Sequence, residues 1–303
     1  MHTTCPYCGQ KSKKLFTARD LNQNLSNLDF TYYRCESCNL IFLSPIPENL
    51  HEYYGQEYPA YQKMVNIKDP VLNYDVNKVA IVKKYSLGNK ILEIGSGNGA
   101  FAYLAMQEGF IVDAIEMDPT CCKFLKDELK VRHVINCNNI VQALDQTQDK
   151  YDAIVMWHVL EHLINPLDAL RTLPNKLSQD GIIIIAVPNP EAFQFKLFKQ
   201  YWKHVDAPRH VVFMPLKSIL KEMAEIGMKT LLATTNDRVS AEFNSYDWWL
   251  HSLRNFISGS NNNFLNRILQ KHCIAKTLYN QFIRRIEQTD GGGNAYLAIF
   301  KKD

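Results

Sequence analysis

The sequence predicts an α/β fold built on a doubly wound sheet, on three observations. The run Lys90-Ile-Leu-Glu-Ile-Gly-Ser-Gly-Asn-Gly-Ala-Phe101 reads as an apolar strand, a turn with glycines at 95, 97 and 99, and a helix start. Glycines so spaced reach positive φ and let a ligand approach main-chain N–H groups that a Cβ would screen. The next strand-like run, Ile111 to Asp118, ends in Glu116, about 20 residues past the first glycine, where a carboxylate meets a ribose diol in such sheets. Apolar strand patterns then alternate with helical ones towards the C-terminus.

With 303 residues, 46% of them hydrophobic, the chain can bury a full α/β core and still carry an appended module. A net charge of +3 is too small to argue for nucleic acid by itself. The longest apolar stretch, Ile182 to Val187, suits a buried strand and is far short of a membrane span. No N-terminal apolar run is present, so the cytoplasm is expected, and eight cysteines there point to reduced thiols or metal ligands.

Cys5-Pro-Tyr-Cys8-Gly9 and Cys35-Glu-Ser-Cys38-Asn39 form two C-x-x-C pairs, a pattern suited to tetrahedral zinc in a ribbon over residues 1–47. Gly9 and Asn39 tolerate the left-handed conformation that turns each knuckle back. The long spacer would be absorbed by a hairpin, since Thr31–Arg34 and Leu40–Leu43 read as strands. Such zinc is structural, with all four positions filled. Residues 48–88 read as a connector rich in tyrosine (Tyr53, Tyr54, Tyr58, Tyr61) and a helix opened by Asp69-Pro70 and running to Tyr85. Those tyrosines either pack the ribbon onto the main domain or wall a ligand cleft.

The glycine turn alone does not choose a cofactor, because Gly95-x-Gly97-x-x-Ala100 also satisfies the dinucleotide fingerprint. Glu93 chooses. An acid two residues before the first glycine opposes a pyrophosphate but suits the ammonium and sulfonium of S-adenosylmethionine. Further along, Asp118-Pro119 caps a helix, Val131 to Asn136 is strand three, and the loop Cys137-Asn138-Asn139-Ile140 follows it. Strand four, Tyr151 to Trp157, leads into His158-Val-Leu-Glu161-His162, beyond a strand's carboxyl end, where ligands bind in open α/β sheets. Asn165-Pro166 begins a helix to Leu177, Asp180-Gly181 turns, and Ile182 to Val187 is strand five. Phe193 to His204 is aromatic and basic, and Asp206-Ala-Pro-Arg209-His210 follows. Pro215 to Ile226 is a helix, Lys229 to Thr235 strand six, and Asn294 to Lys301 strand seven after Gly291-Gly292-Gly293.

Between strands six and seven lies a helical insertion over 241–292, where a few residues normally suffice. Phe264, Leu265, Ile268, Leu269, Leu278, Tyr279, Phe282, Ile283 and Ile286 recur there at helical spacing, opposite Arg267, Lys271, Lys276, Arg284 and Arg285. This is either a cap on the domain or a surface for an amphiphilic acceptor, a membrane or a partner subunit.

Glu93-x-Gly95-x-Gly97-x-Gly99 with the second strand ending in Glu116 resembles motifs I and II of class I S-adenosylmethionine-dependent methyltransferases. With the four-cysteine ribbon, Trp-His-Val-Leu-Glu-His and Asp-Ala-Pro-Arg-His, the chain looks like a broad small-molecule group that includes ubiquinone-type O-methyltransferases and sugar-pathway enzymes. The resemblance covers Lys90 to about Thr235, the last strand and, loosely, the ribbon; the insertion lies outside it. It implies a Rossmann-like seven-stranded sheet over 89–303. It also implies cofactor contacts from Glu93, Gly95, Ser96, Gly97, Gly99, Glu116, Met117, Asn138, Asn139, Ile140 and Trp157. Asparagine stands where the pattern has an acid beside the adenine amino group, and its carbonyl can accept the same hydrogen bond.

The ubiquinone enzymes carry E-x-x-E-H, implicated in divalent-metal binding, where this chain has His158, Glu161 and His162; imidazole there shifts preference from magnesium towards zinc. His158-x-x-Glu161-His162 also matches the inverted zinc-protease signature, which fails because the first histidine directly follows a buried strand. His158 or His210 is the expected general base for a hydroxyl acceptor, with Glu161 and His162 orienting the site or sharing a metal, and Arg209 holding an anionic part of the acceptor. RNA methylation is the competing reading, carried by Lys11, Lys13 and Lys14 of the ribbon and the insertion's basic face. A binding protein without catalysis is a third, opposed by the ionisable cluster. Acceptor identity and oligomeric state stay open.

Overall fold

The computed structural model describes residues 2–54, 64, 73–260 and 272–302. Its strands, in chain order, are β1 (His2–Thr4), β2 (Lys11–Ala18), β3 (Phe30–Cys35), β4 (Ile41–Leu43), β5 (Lys90–Ile94), β6 (Ile111–Glu116), β7 (His133–Asn136), β8 (Tyr151–Trp157), β9 (Leu177–Pro188), β10 (Val212–Phe213), β11 (Met228–Thr234) and β12 (Ala295–Lys302). The chain divides into two units. One comprises Met1–Tyr53, Pro188–Ser218 and Thr234–Tyr296; the other comprises Tyr54–Val187, Ile219–Ala233 and Leu297–Asp303.

The second unit is organised by a seven-stranded sheet in the order β11-β12-β9-β8-β5-β6-β7. Parallel pairing joins β5 to β6, β5 to β8, β6 to β7 and β8 to β9. The chain therefore leaves β5 towards one edge through β6 and later returns to its other side with β8. That reversal of strand order is where an open α/β sheet binds ligands, beyond the carboxyl ends of its strands. Ile182, Ile183, Ile184, Ile185, Ala186 and Val187 are all buried, as a strand covered on both faces requires. The expected turn at Asp180-Gly181 is a correction: β9 runs unbroken from Leu177, and its register against β8 jumps from Tyr151↔Leu177 to Ala153↔Ile182. The extra residues bulge within a paired strand instead of breaking it.

The caps written in the sequence are used. Asp118 accepts the Cys121 N–H at 2.8 Å ahead of the helix Pro119–Asp127, satisfying one of its orphan donors. The helix Asn73–Tyr85 ends at the expected residue; its expected start, Asp69-Pro70, and Tyr58 and Tyr61 lie outside the described residues. The helix expected from Asn165-Pro166 to Leu177 is shorter, ending at Thr172 and passing into a 3-10 turn, Leu173–Lys176, where Pro174 removes an N–H.

In the first unit, β2 and β3 form the hairpin that spans the gap between the cysteine pairs. The five-stranded sheet, β1-β2-β3-β4-β10, takes its last strand from Val212–Phe213, paired antiparallel with Phe42 and Ile41. Phe42 packs with Cys5 and Cys35 in a small core beneath the knuckles. The insertion is helical as expected, with the helices Tyr246–Ser260 and His272–Leu278, a π turn Tyr279–Ile283 and the helix Arg284–Glu287. Phe264, Leu265, Arg267, Ile268, Leu269 and Lys271 lie outside the described residues. Gly292 and Gly293 sit where a Cβ would come within 2.1 Å of the Ile286 carbonyl oxygen and 2.4 Å of the Thr235 carbonyl oxygen, so the glycine run is set by close backbone approach.

Candidate active site

The turn after β5 holds Gly95, Gly97 and Gly99 at φ of 75°, 50° and 78°, a conformation costly to other residues. A Cβ on Gly95 would lie 2.4 Å from a methyl of Val159. Gly99 precedes the helix Ala100–Gln107 as its N-cap. Glu93, 2% exposed, points a carboxylate oxygen, Oε2, at no hydrogen-bond partner among the described residues. Burial pushes its carboxyl up to about 8, with the Ser96 side chain and the Lys78 ammonium pulling the other way. Ser96 is itself buried.

Glu116 ends β6 buried, with Oε2 accepting the Gly97 N–H at 2.8 Å and Oε1 accepting the Met117 and Asp118 N–H groups at 2.8 and 2.9 Å. Burial raises its pKa despite these bonds. A carboxylate offers about four lone-pair sites, so capacity remains for a hydroxyl. Met117, next in the chain, is exposed. Trp157 is buried against Phe101, with ring centroids 5.6 Å apart, and Lys78 Nζ lies 5.6 Å from its ring centre. Its indole N–H has no partner among the described residues. Two unmatched buried polar atoms on adjacent parallel strands, an acceptor on β5 and a donor on β8, are groups a polar ligand would satisfy.

Asn138 is exposed and Ile140 buried, while Asn139 uses its side-chain oxygen to cap the helix Ile140–Gln146 through the Gln142 N–H. Sequence reasoning passed over Asn136. Its amide donates to the Glu116 and Met117 carbonyls at 3.1 and 2.9 Å, fixing the backbone from which Glu116 projects. Lys78, paired with Asp75 at 2.6 Å, was also missed. A helix preceding the glycine turn gave no signal that one of its lysines would reach Trp157.

His158 takes the left-handed conformation, φ 58°, with its N–H bonded to the Ala186 carbonyl. Its Nδ1 lies 3.2 Å from Glu161 Oε1. Glu161 is buried in a single 3-10 turn, Leu160–His162. His162 has its Nδ1 3.0 Å from the Tyr54 hydroxyl, the rings meeting edge to face at 5.7 Å, and offers a ring nitrogen within 4.8 Å of a Glu161 carboxylate oxygen. Tyr54 is thus tied to His162 and to no other histidine of the cluster by these contacts. With His158 outside a three-residue turn, the two histidines do not share a helix face, and the protease alternative is excluded.

In the first unit, His210 is buried with Nδ1 2.7 Å from the His204 carbonyl oxygen and Nε2 4.0 Å from Asp206 Oδ2. Arg209 corrects its expectation. It is fully buried, and its Nε, Nη1 and Nη2 groups bond to both oxygens of Asp20, both oxygens of Asp206 and the Tyr53 carbonyl. All five donors of the guanidinium are committed inside the chain, so none remains for an acceptor's anion. Burial alone would raise the Asp206 carboxyl; the Arg209 bond, with help from His210 and Asn22, holds it below the ordinary value.

The four ribbon cysteines converge, their sulfurs all within 4.8 Å of one another. Cys5–Cys38, Cys8–Cys35 and Cys8–Cys38 are 3.8, 3.4 and 3.6 Å apart. Gly9 and Asn39 have φ of 71° and 60°, the left-handed turns expected after each pair. The Ser37 and Cys38 N–H groups point at Cys35 Sγ, both at 3.4 Å.

A family profile described as "Methyltransferase domain" matches residues 74–233, just over half of the 303 residues, and the chain belongs to that family. The fold is that of the class I S-adenosylmethionine-dependent methyltransferases. Among curated relatives, a ubiquinone biosynthesis O-methyltransferase of Glaesserella parasuis is 27% identical over 117 residues, 36% of this chain and 50% of the relative. One of Rickettsia bellii is 25% identical over 123 residues, 39% and 50% of the two chains. The chain spans about half the length of these relatives. Among solved structures, the CcbJ methyltransferase of Streptomyces caelestis has a TM-score of 0.50 at 10% identity, covering 82% of this chain and 97% of that one. A mycolic acid cyclopropane synthase solved with SAH has a TM-score of 0.50 at 13% identity, covering 84% and 94%. At these identities the likeness is one of fold.

Proposed function

We propose that the chain transfers a methyl group from S-adenosylmethionine to a hydroxyl of a small-molecule acceptor: a sugar, a quinone-like or a lipid-linked metabolite. The observation that carries the cofactor is Glu93, a buried carboxyl with an unmatched oxygen beside a turn of three left-handed glycines. Glu93 and the glycine turn take the amino-acid end, Glu116 the ribose hydroxyls, and Met117, Asn138 and Ile140 the adenine side. The bound cofactor supplies an activated methyl on a sulfonium; alignment and proton removal fall to the protein.

His158 is the preferred base. A hydrogen bond from Nδ1 to Glu161 fixes the tautomer that leaves Nε2 basic, the role an acid plays behind a catalytic imidazole. His210 is the second choice, its Nδ1 held in the same tautomer by a carbonyl. A divalent metal at His158, Glu161 and His162 is the weaker alternative, since Glu161 and His162 offer ligand atoms within 4.8 Å of each other but His158 is not in that group among the described residues. The four cysteines hold structural zinc, since tetrahedral ligands about 2.3 Å from the ion lie about 3.8 Å apart, close to the sulfur separations here.

Labelled cofactor incubated with purified protein and cell extract divided into RNA, lipid, protein and small-molecule fractions tests the acceptor class. Label in the small-molecule or lipid fraction supports the reading; label in RNA or protein refutes it. With an acceptor in hand, His158→Asn should lower kcat by roughly 10²-fold with cofactor affinity little changed. Normal turnover in both His158→Asn and His210→Asn removes the histidine base, and chelator-sensitive turnover restored by a divalent ion selects the metal.

A further inference from the structure

Between Asp247 and Glu287 the sequence contains no aspartate or glutamate and six cations: Arg254, Arg267, Lys271, Lys276, Arg284 and Arg285. The whole chain carries only +3, so this charge is concentrated. The last part of the segment runs as helix, π turn and helix from His272 to Glu287. Its residues divide between two faces. Ala275, Tyr279 and Glu287 are buried, and the Tyr279 hydroxyl donates to Glu287 at 2.9 Å, so that face is satisfied within the fold. Leu278, Phe282 and Ile286, spaced by four, are 44%, 59% and 38% exposed. Lys276, Arg284 and Arg285 are exposed with them.

We propose that this outer row is an interfacial face that lays the helix on an anionic lipid surface, with Leu278, Phe282 and Ile286 entering the headgroup boundary and the cations meeting lipid phosphates. Exposed aromatic and aliphatic side chains with basic neighbours are the composition such helices use, and the nearest exposed acid in the sequence, Asp290, lies beyond the end of the helix. Charge decides against the other occupants. A second copy packed about a two-fold axis would bring the same cations against each other. A nucleic-acid backbone would reward the arginines but leave Phe282 without apolar cover. No helix among the described residues is long and apolar enough to cross a membrane, so the mode is lying on the surface.

Flotation of the full chain with phosphatidylcholine vesicles, with and without phosphatidylglycerol, tests this. The protein should float with phosphatidylglycerol vesicles, stay behind with phosphatidylcholine alone, and be released by salt. Phe282→Asp should weaken binding tenfold or more. Arg284→Ala with Arg285→Ala should weaken it about thirtyfold, from about fivefold per cation. The arginine pair carries the test should Phe282→Asp fail to match the parent's thermal melt. No flotation with anionic vesicles overturns the proposal, as does flotation indifferent to both variants. Self-association in sedimentation that Phe282→Asp abolishes would assign the face to a second copy instead.

Discussion

Glu93 and Arg209 are both ionisable side chains withdrawn from water, one 2% and the other 0% exposed, and they have opposite surroundings. Every donor of Arg209 is matched by Asp20, Asp206 or a carbonyl. Glu93 keeps an unmatched oxygen next to a glycine turn. A buried charge with its hydrogen bonds filled is part of the fold, because removing it strands its partners; one with bonds left open awaits something from outside. The difference separates framework from site more sharply than residue type, since an arginine near two histidines looks the more catalytic of the two in the sequence.

The largest effect should come from breaking the framework. Arg209→Ala leaves Asp20 and Asp206 buried without their cation and should cost about 3–5 kcal/mol, read as a lower denaturant midpoint. A variant as stable as the parent would mean that Arg209 is available after all. Cys35→Ser should lose the metal and loosen the first 45 or so residues while sparing the seven-stranded sheet; protein prepared without chelator that contains no zinc by elemental analysis refutes the zinc reading. On the site side, Glu116→Ala removes charge-assisted bonds of about 1.5–3 kcal/mol each and should weaken cofactor binding at least tenfold in calorimetry. Unchanged affinity would detach the carboxylate from the ribose.

Local signals made the site half legible. The glycine turn, the acid ending the second strand and the paired cysteines each depend on residues near one another in sequence, and the structure puts each group together. What failed depended on distant partners. A planar fork such as Arg209's suits any carboxylate; one of its two carboxylate partners, Asp206, is three residues away in the sequence, but the other, Asp20, is 189 residues away. Tyr54 reaches His162 across 108 residues, which no spacing announces. The apolar recurrence in the insertion predicted one stripe, yet Tyr279 faces inward while Leu278, Phe282 and Ile286 face out, since helical periodicity shows which residues align and not which alignment the core takes. Likewise β10 is only two residues long and is a strand because β4 offers it an edge.

The smallest effect is the most direct test. In the folded protein the Glu93 carboxyl keeps its proton to about 8, against 4.5 for the free side chain. Between those values the native state binds the extra proton, so this group makes stability fall as pH rises through the window. Glu93→Gln should flatten that dependence. A cationic ligand at the unmatched oxygen favours the carboxylate, so binding must expel the proton. Calorimetric titration of S-adenosylmethionine at pH 7, repeated in buffers of different ionisation enthalpy, should show wild type releasing close to one more proton than Glu93→Gln, which should bind more weakly. Equal proton counts with equal affinity would contradict the assignment of the Glu93 turn as the cofactor site.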